Sequence, residues 1–204
     1  MTLLGERQKE FLEKYLWENE LLDLGCGDRT KFEFLGKKVI GLDIQQFGNV
    51  DIVGDLNSRV PIEDESTSCV VALNVYEHIY NIKNALAETY RILKFGGRVL
   101  GSVPFVLGEH QMPHDFHRFT RFELERLFQE AGFRNIEIYE LGTQLDTYRT
   151  IQLHLFMGLF DEKRSLFLKS VWGLHKLINL VFGRYLITKK TRDVLGFGFI
   201  AIKA

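Results

Sequence analysis

A chain of 204 residues with 46% hydrophobic side chains and a formal net charge of −1 is long enough to bury a sizeable core. It is neither a disordered segment nor a polycation. Its two cysteines, Cys26 and Cys69, exclude a disulfide scaffold and a cysteine-rich metal module, and they fit reduced thiols in a cytoplasmic protein. The first twenty residues are charged and helical in pattern, unlike a signal peptide, and no uncharged apolar run reaches the ~18 residues of a spanning helix.

In chain order, the pattern predicts a helix over Glu6–Trp17 and an apolar strand, Leu21–Leu24, that runs into Gly25-Cys26-Gly27-Asp28. Strands follow at Val39–Leu42 and Val50–Val53, ending near the carboxylates Asp43 and Asp55. Strand Cys69–Asn74 leads to a helix over Ile82–Leu93, where Ala85, Leu86, Tyr90 and Leu93 recur at helical spacing. Gly96-Gly97 is expected to end that helix before strand Arg98–Val103. Thr120-Arg121-Phe122-Glu123 reads as a capping box opening a helix that stops at Ala131-Gly132. Strand Asn135–Leu141, a short helix over Ile151–Phe160, an amphipathic helix from Phe167 and a last strand, Val194–Ile202, complete the chain. Alternation of strands and helices implies an α/β doubly wound sheet in one domain over 1–204.

The Gly-x-Gly turn is the most informative segment. Glycine reaches φ > 0 and lets backbone approach a ligand as a Cβ would not. Asp23, just before the turn, repels phosphate and attracts a cationic ligand. Asp43 ends the next strand twenty positions later, the spacing of the acid that accepts ribose hydroxyls in nucleoside-binding βαβ units. A dinucleotide fingerprint needs Gly or Ala at the sixth position, where this chain has Thr30, and Asp28 opposes a pyrophosphate.

Asp23, Gly25, Gly27 and Asp43 together resemble motif I and its acidic partner in class I S-adenosylmethionine-dependent methyltransferases. The resemblance departs at Arg29, where that family often has a third glycine. It implies a Rossmann-like seven-stranded sheet whose last strand inserts antiparallel beside the sixth, and S-adenosylmethionine as cofactor. Asp55 and Leu56 then take the adenine. Asn74 to His78, beyond the carboxyl end of a buried strand, border the cofactor and its methyl. The contact set so implied is Asp23, Gly25, Cys26, Gly27, Asp43, Ile44, Asp55, Leu56, Asn74 and Tyr76. His114-Asp115-Phe116-His117-Arg118-Phe119-Thr120, with Leu124 and Ala131-Gly132-Phe133, is similar to a segment of the small type 11 methyltransferases, where it precedes the helix after the fifth strand.

Methyl transfer from a sulfonium is an in-line displacement, so the protein mainly positions reactants and excludes water. An acceptor hydroxyl also needs a base. His114, Asp115 and His117 form the expected base region, with His110 nearby; a role for His114 or His117 in fixing the loop competes with it. Glu77 and His78, with His114 and His117, have the residue types of a carboxylate–imidazole metal cluster. RNA-terminal 2′-O-methyltransferases carry another glutamate three positions before such a pair, and this chain has Asn74 there. Glu77 and His78 are therefore expected to cap the next helix and line the pocket without a metal. Tyr90 and Lys94 match the Tyr-x-x-x-Lys spacing of short-chain dehydrogenases. A packed aromatic and a lysine at the helix C-terminus explain them better.

Residues 144–192 hold nine basic and three acidic side chains, whereas residues 1–143 hold 16 and 23. Val171, Leu174, Ile178, Val181 and Tyr185 define one stripe, and Lys169, Lys176 and Arg184 another, a basic amphipathic helix inside a helical insertion. Over 149–190 it is expected to cover the acceptor site, form a homodimer surface or meet lipid at a membrane. The reading as a whole is an S-adenosylmethionine-dependent methyltransferase acting on oxygen of a small molecule or a glycan or lipid-linked intermediate. A non-catalytic cofactor-binding or partner-docking protein of the same fold is the alternative. A nucleic-acid acceptor is not expected, because the core is acidic and the basic stripe lacks an accompanying nucleic-acid-binding motif.

Overall fold

A computed structural model describes residues 2–28, 35–46, 48, 50–159, 173 and 193–204. The chain runs through α1 (Leu3–Tyr15), β1 (Glu20–Leu24), β2 (Lys38–Asp43), β3 (Ile52–Val53) and β4 (Thr67–Leu73). A one-turn 3₁₀ helix, Tyr76–His78, precedes α2 (Ile82–Ile92) and β5 (Leu93–Pro104). Then come α3 (Arg121–Glu130), β6 (Phe133–Leu141), α4 (Gln144–Leu159) and β7 (Gly196–Lys203). The strands form one sheet in the order β3-β2-β1-β4-β5-β7-β6. β1 to β5 pair in parallel, and β7 enters antiparallel between β5 and β6, as the resemblance implied.

Strand order reverses between β1 and β4, and ligands of open α/β sheets bind outside the carboxyl ends at such a point. Both faces are covered, so the strands are nearly continuous hydrophobic runs. Their period-2 alternation divides the core. Leu22, Leu24, Val70 and Ala72 join Ile92, Leu127 and Phe128 on one face, while Leu21, Cys69, Val71 and Leu73 meet Phe11 and Leu12 of α1 on the other. Burial pushes the Cys69 thiol up to about 12, and both cysteines are free and buried.

Local chemistry sets the element ends. Thr2 accepts a hydrogen bond from the Gly5 N–H at 3.1 Å, so α1 opens three residues before the expected helix. Thr120 accepts from the Glu123 N–H at 3.2 Å, and Phe119 and Leu124, both buried in the same core, stand at the staple positions around it. The capping box is one-sided, because the Glu123 carboxylate bonds Arg126.

Two local expectations are corrected. Gly96-Gly97 does not end α2. The helix stops at Ile92, and fully buried Leu93 enters the sheet beside Thr67. The glycine pair lies within β5, next to the shift in register between Thr67 and Cys69. Lys94 is consequently an exposed strand residue, and Arg91 is the basic residue of the last helical turn. Tyr90 and Lys94 do not share a helix face.

Residues 151–159 of the expected short helix fall in α4, which starts earlier, at Gln144, while Phe160 lies outside the described residues. The basic amphipathic helix from Phe167, with Arg29, lies outside the described residues. No helix among the described residues is long and apolar enough to cross a membrane.

Candidate active site

The turn after β1 is built as its composition demands. Gly25 and Gly27 sit at φ +63° and +65°. A Cβ on Gly25 would come within 2.7 Å of Val75 Cγ2, whereas one on Gly27 would meet nothing within 4 Å. Gly25 is thus required by packing and conformation, Gly27 by conformation alone. Between them, buried Cys26 donates its N–H to the Leu42 carbonyl at 3.1 Å. The Gly27 N–H donates to Asp43 Oδ2 at 2.9 Å, and the Gln45 N–H to Asp43 Oδ1 at 3.1 Å. Asp43 therefore joins the glycine turn to the loop after β2. Each of its oxygens keeps a lone pair beyond these bonds, so ribose hydroxyls can still donate to it. Ile44, next in the chain, is an apolar side chain that is 59% exposed. Asp23 is buried on β1 beneath the turn.

Asp55 accepts from the backbone and side-chain N–H groups of Asn57, both at 2.8 Å, an Asx turn that fixes the loop after β3. Buried Leu56 accepts at its carbonyl from the Asn84 amide. Asn74, at the end of β4, adopts φ +52°, a left-handed conformation that asparagine tolerates better than most residues. Gln8 holds it there: its Nε2 donates to Asn74 Oδ1 and to Ser102 Oγ, each at 2.7 Å. The sequence reading did not single out Gln8; its place three and four positions before Phe11 and Leu12, a polar residue on the apolar helical stripe, was the available signal.

Tyr76 stands differently from its expected cofactor contact. Its ring is fully buried, stacked on Phe199 at 5.6 Å, and its hydroxyl bonds Thr89 Oγ1 at 3.0 Å. Burial pushes that hydroxyl well above the ordinary tyrosine range. The side chain serves the core.

The loop between β5 and α3 carries the histidines. Asp115 is not arranged as a base: Arg118 grips both of its oxygens, at 2.6 and 2.8 Å, and the His110 N–H donates to it at 3.0 Å. The guanidinium holds the Asp115 carboxyl well below the usual carboxylate range. Asp115 is a clamp on the loop. His117 Nε2 lies 3.0 Å from the Ile79 carbonyl, which leaves Nδ1 as its basic nitrogen. His114 is exposed and offers its backbone carbonyl to His78 Nδ1 at 2.6 Å.

Glu77 and His78 do not cap α2. Asn81 does, accepting from the Asn84 N–H. Nor do they gather His114 and His117 side chains around them; the imidazole they meet is that of His110. Burial pulls the His78 pKa below the ordinary imidazole value.

These positions fit S-adenosylmethionine. The space beside Gly27 is open, Asp43 keeps acceptor capacity next to it, and Val75 of the chain after β4 packs against Gly25 of the same turn. A family model described as a methyltransferase domain matches residues 3–138. A probable S-adenosylmethionine-dependent methyltransferase of Mycolicibacterium smegmatis is 29% identical over 132 residues, 56% of this chain and 51% of that protein. The chain thus spans about half the length of that curated relative. A possible histamine N-methyltransferase of Thermotoga maritima has a TM-score of 0.67 at 16% identity, over 99% of this chain and 90% of that one. Phosphoethanolamine N-methyltransferase 2 of Haemonchus contortus, solved with S-adenosylmethionine, has a TM-score of 0.60 at 19% identity, over 97% and 52%. At such identities the solved structures show the fold alone. The family match itself takes in the glycine turn, the strand-end carboxylates and the histidine loop, and the chain belongs to the class I S-adenosylmethionine-dependent methyltransferases.

Proposed function

We propose that this chain transfers the methyl group of S-adenosylmethionine to an oxygen of a small polar molecule or glycan intermediate, lipid-linked ones included. The observation that carries the reading is the Asp43–Gly27 bond across the carboxyl ends of β1 and β2, beside the switch point of the sheet, with the histidine loop tied by its backbone to Glu77 after β4. Bound cofactor supplies an electrophilic methyl on a sulfonium.

The protein's part is positional and protonic. Gly25, Gly27 and Asp23 hold the end of the crevice suited to a cationic amino acid moiety. Asp43 and Ile44 take the ribose and the adjoining base, and Asp55 and Leu56 the adenine edge. Asn74, pinned by Gln8 and Ser102, aligns the reacting centre. His117, its Nε2 facing the Ile79 carbonyl, offers Nδ1 to the acceptor hydroxyl proton, and His114 provides a second imidazole. Asp115 serves through Arg118 as the positioning group that keeps this loop in place.

The test is label transfer. The folded protein incubated with S-adenosylmethionine tritiated at the methyl group and a pool of polar hydroxylated metabolites should yield a labelled methyl ether and S-adenosylhomocysteine. Label recovered on nitrogen or sulfur, or cofactor binding without any labelled product, would overturn the oxygen assignment.

A further inference from the structure

We propose that Glu77, His78 and His110 form a binding site for a first-row divalent metal ion, zinc being the type case, beside the methyl-transfer crevice. One potential ligand atom from each of the three residues lies within 4.8 Å of the others. His78 Nε2 and Glu77 Oε1 are 3.7 Å apart, and the two imidazoles meet edge to face with centroids 4.7 Å apart. Bonds of about 2.0–2.2 Å to one ion set ligand atoms roughly 3–3.5 Å apart, so small side-chain rotations close the set.

The histidines are already oriented for it. His78 Nδ1 lies 2.6 Å from the His114 carbonyl, so Nδ1 carries the proton and Nε2 the lone pair. That Nε2 is buried with no hydrogen-bond partner among the described residues. His110 Nδ1 faces Asp115 Oδ2 and the Gly108 carbonyl, each at 3.3 Å, and Arg118 Nη2 at the longer distance of 3.5 Å; the two nearer acceptors favour the proton on Nδ1, which leaves Nε2 for a ligand. Metal-binding histidines are typically fixed by such a carbonyl or carboxylate on the far nitrogen.

The backbone reinforces the arrangement. Phe116 and His117 donate their N–H groups to the Glu77 carbonyl at 2.9 and 3.1 Å, so the loop bearing His110 is tied directly to the residue beside His78.

Two imidazoles and one carboxylate favour zinc, iron or cobalt over magnesium or calcium. Three protein ligands leave a position open for exchangeable solvent or substrate. Beyond the carboxyl ends of β4 and β5, such a position would lie on the side of the crevice proposed for the acceptor. The metal's role rests on the proposed methyl transfer. It would polarise the acceptor hydroxyl; the proton passes to a loop histidine or to water, the oxygen takes the methyl carbon, and the sulfonium leaves as a thioether.

The experiment is a cobalt titration of chelator-treated full chain, followed by visible absorption, with zinc competition and a parallel calorimetric titration with S-adenosylmethionine. One Co²⁺ should bind per chain and be displaced by Zn²⁺. Glu77→Gln and His110→Ala should each weaken binding at least tenfold, and Asp115→Asn by about tenfold. His114→Ala should bind as the parent does. Circular dichroism checks folding, and His110→Gln takes the place of His110→Ala if the latter does not fold. A folded parent that binds S-adenosylmethionine but no stoichiometric Co²⁺, or a His110 variant with parental Co²⁺ affinity, overturns the metal site and leaves the methyl-transfer reading intact. Co²⁺ binding without cofactor binding would do the reverse.

Discussion

Asp43 has two tasks that can be separated by substitution. Its carboxylate closes the glycine turn through the Gly27 N–H and has acceptor capacity left for a ribose. Asp43→Ala should weaken S-adenosylmethionine binding by about 1–3 kcal/mol, the range for lost charge-assisted hydrogen bonds. Asp43→Asn keeps an oxygen for Gly27 and should lose less; equal calorimetric losses in both variants would mean that the carboxylate's charge carries the effect. The glycines and Asp43 were legible in the sequence because a strand–turn–strand unit is local and its spacing fixes its geometry. The burial of the Tyr76 ring and the pairing of Asp115 with Arg118 are not legible in the sequence, because side-chain direction and partners are set by tertiary packing. Phe199, on which Tyr76 stacks, belongs to a distant strand, and the Arg118 grip on Asp115 looks in sequence like any two neighbouring charges. Gln8 was missed for a related reason: its partner Asn74 lies 66 positions away.

At the scale of elements, α2 is locked to the preceding loop by a charged network. Glu88 accepts from the Val60 N–H at 2.9 Å and from Arg91, which also bonds Asp64 at 2.6 Å. The Arg91 guanidinium holds the Glu88 carboxyl below its ordinary value of 4.5. A carboxylate with a depressed folded pKa contributes stability that is complete above the unfolded value and is lost as pH falls through the folded one. Thermal midpoints should therefore fall below about pH 4.5 in the parent. Glu88→Gln should already be less stable at pH 7, by about 1–3 kcal/mol, and should show a shallower acid slope. Parallel pH profiles for the two proteins would remove Glu88 from the account. Strand positions, the Thr120 cap and the insertion of β7 were readable from alternation, capping chemistry and family likeness. The β5 boundary was not. Gly96-Gly97 is chemically a good helix end, yet burial of Leu93 beside Thr67 takes the chain into the sheet first.

The whole molecule brings its site together by topology. The strand order puts the loops after β1 and β4 side by side, so the glycine turn and the Asn74–His78 segment share one crevice. The β5–α3 loop closes on Glu77 from the neighbouring strand. Helix α1 supports this from the opposite face through Gln8, and Arg7 ties it to Asp146 of α4 at 3.0 Å. The measurement that bears most directly on this account is a calorimetric titration of the folded chain with S-adenosylmethionine, S-adenosylhomocysteine and NAD. The expected result is one site per chain for S-adenosylmethionine, competition by S-adenosylhomocysteine, and no heat with NAD. A folded protein that gives no binding heat with either sulfur nucleoside, or that binds NAD in their place, would contradict it.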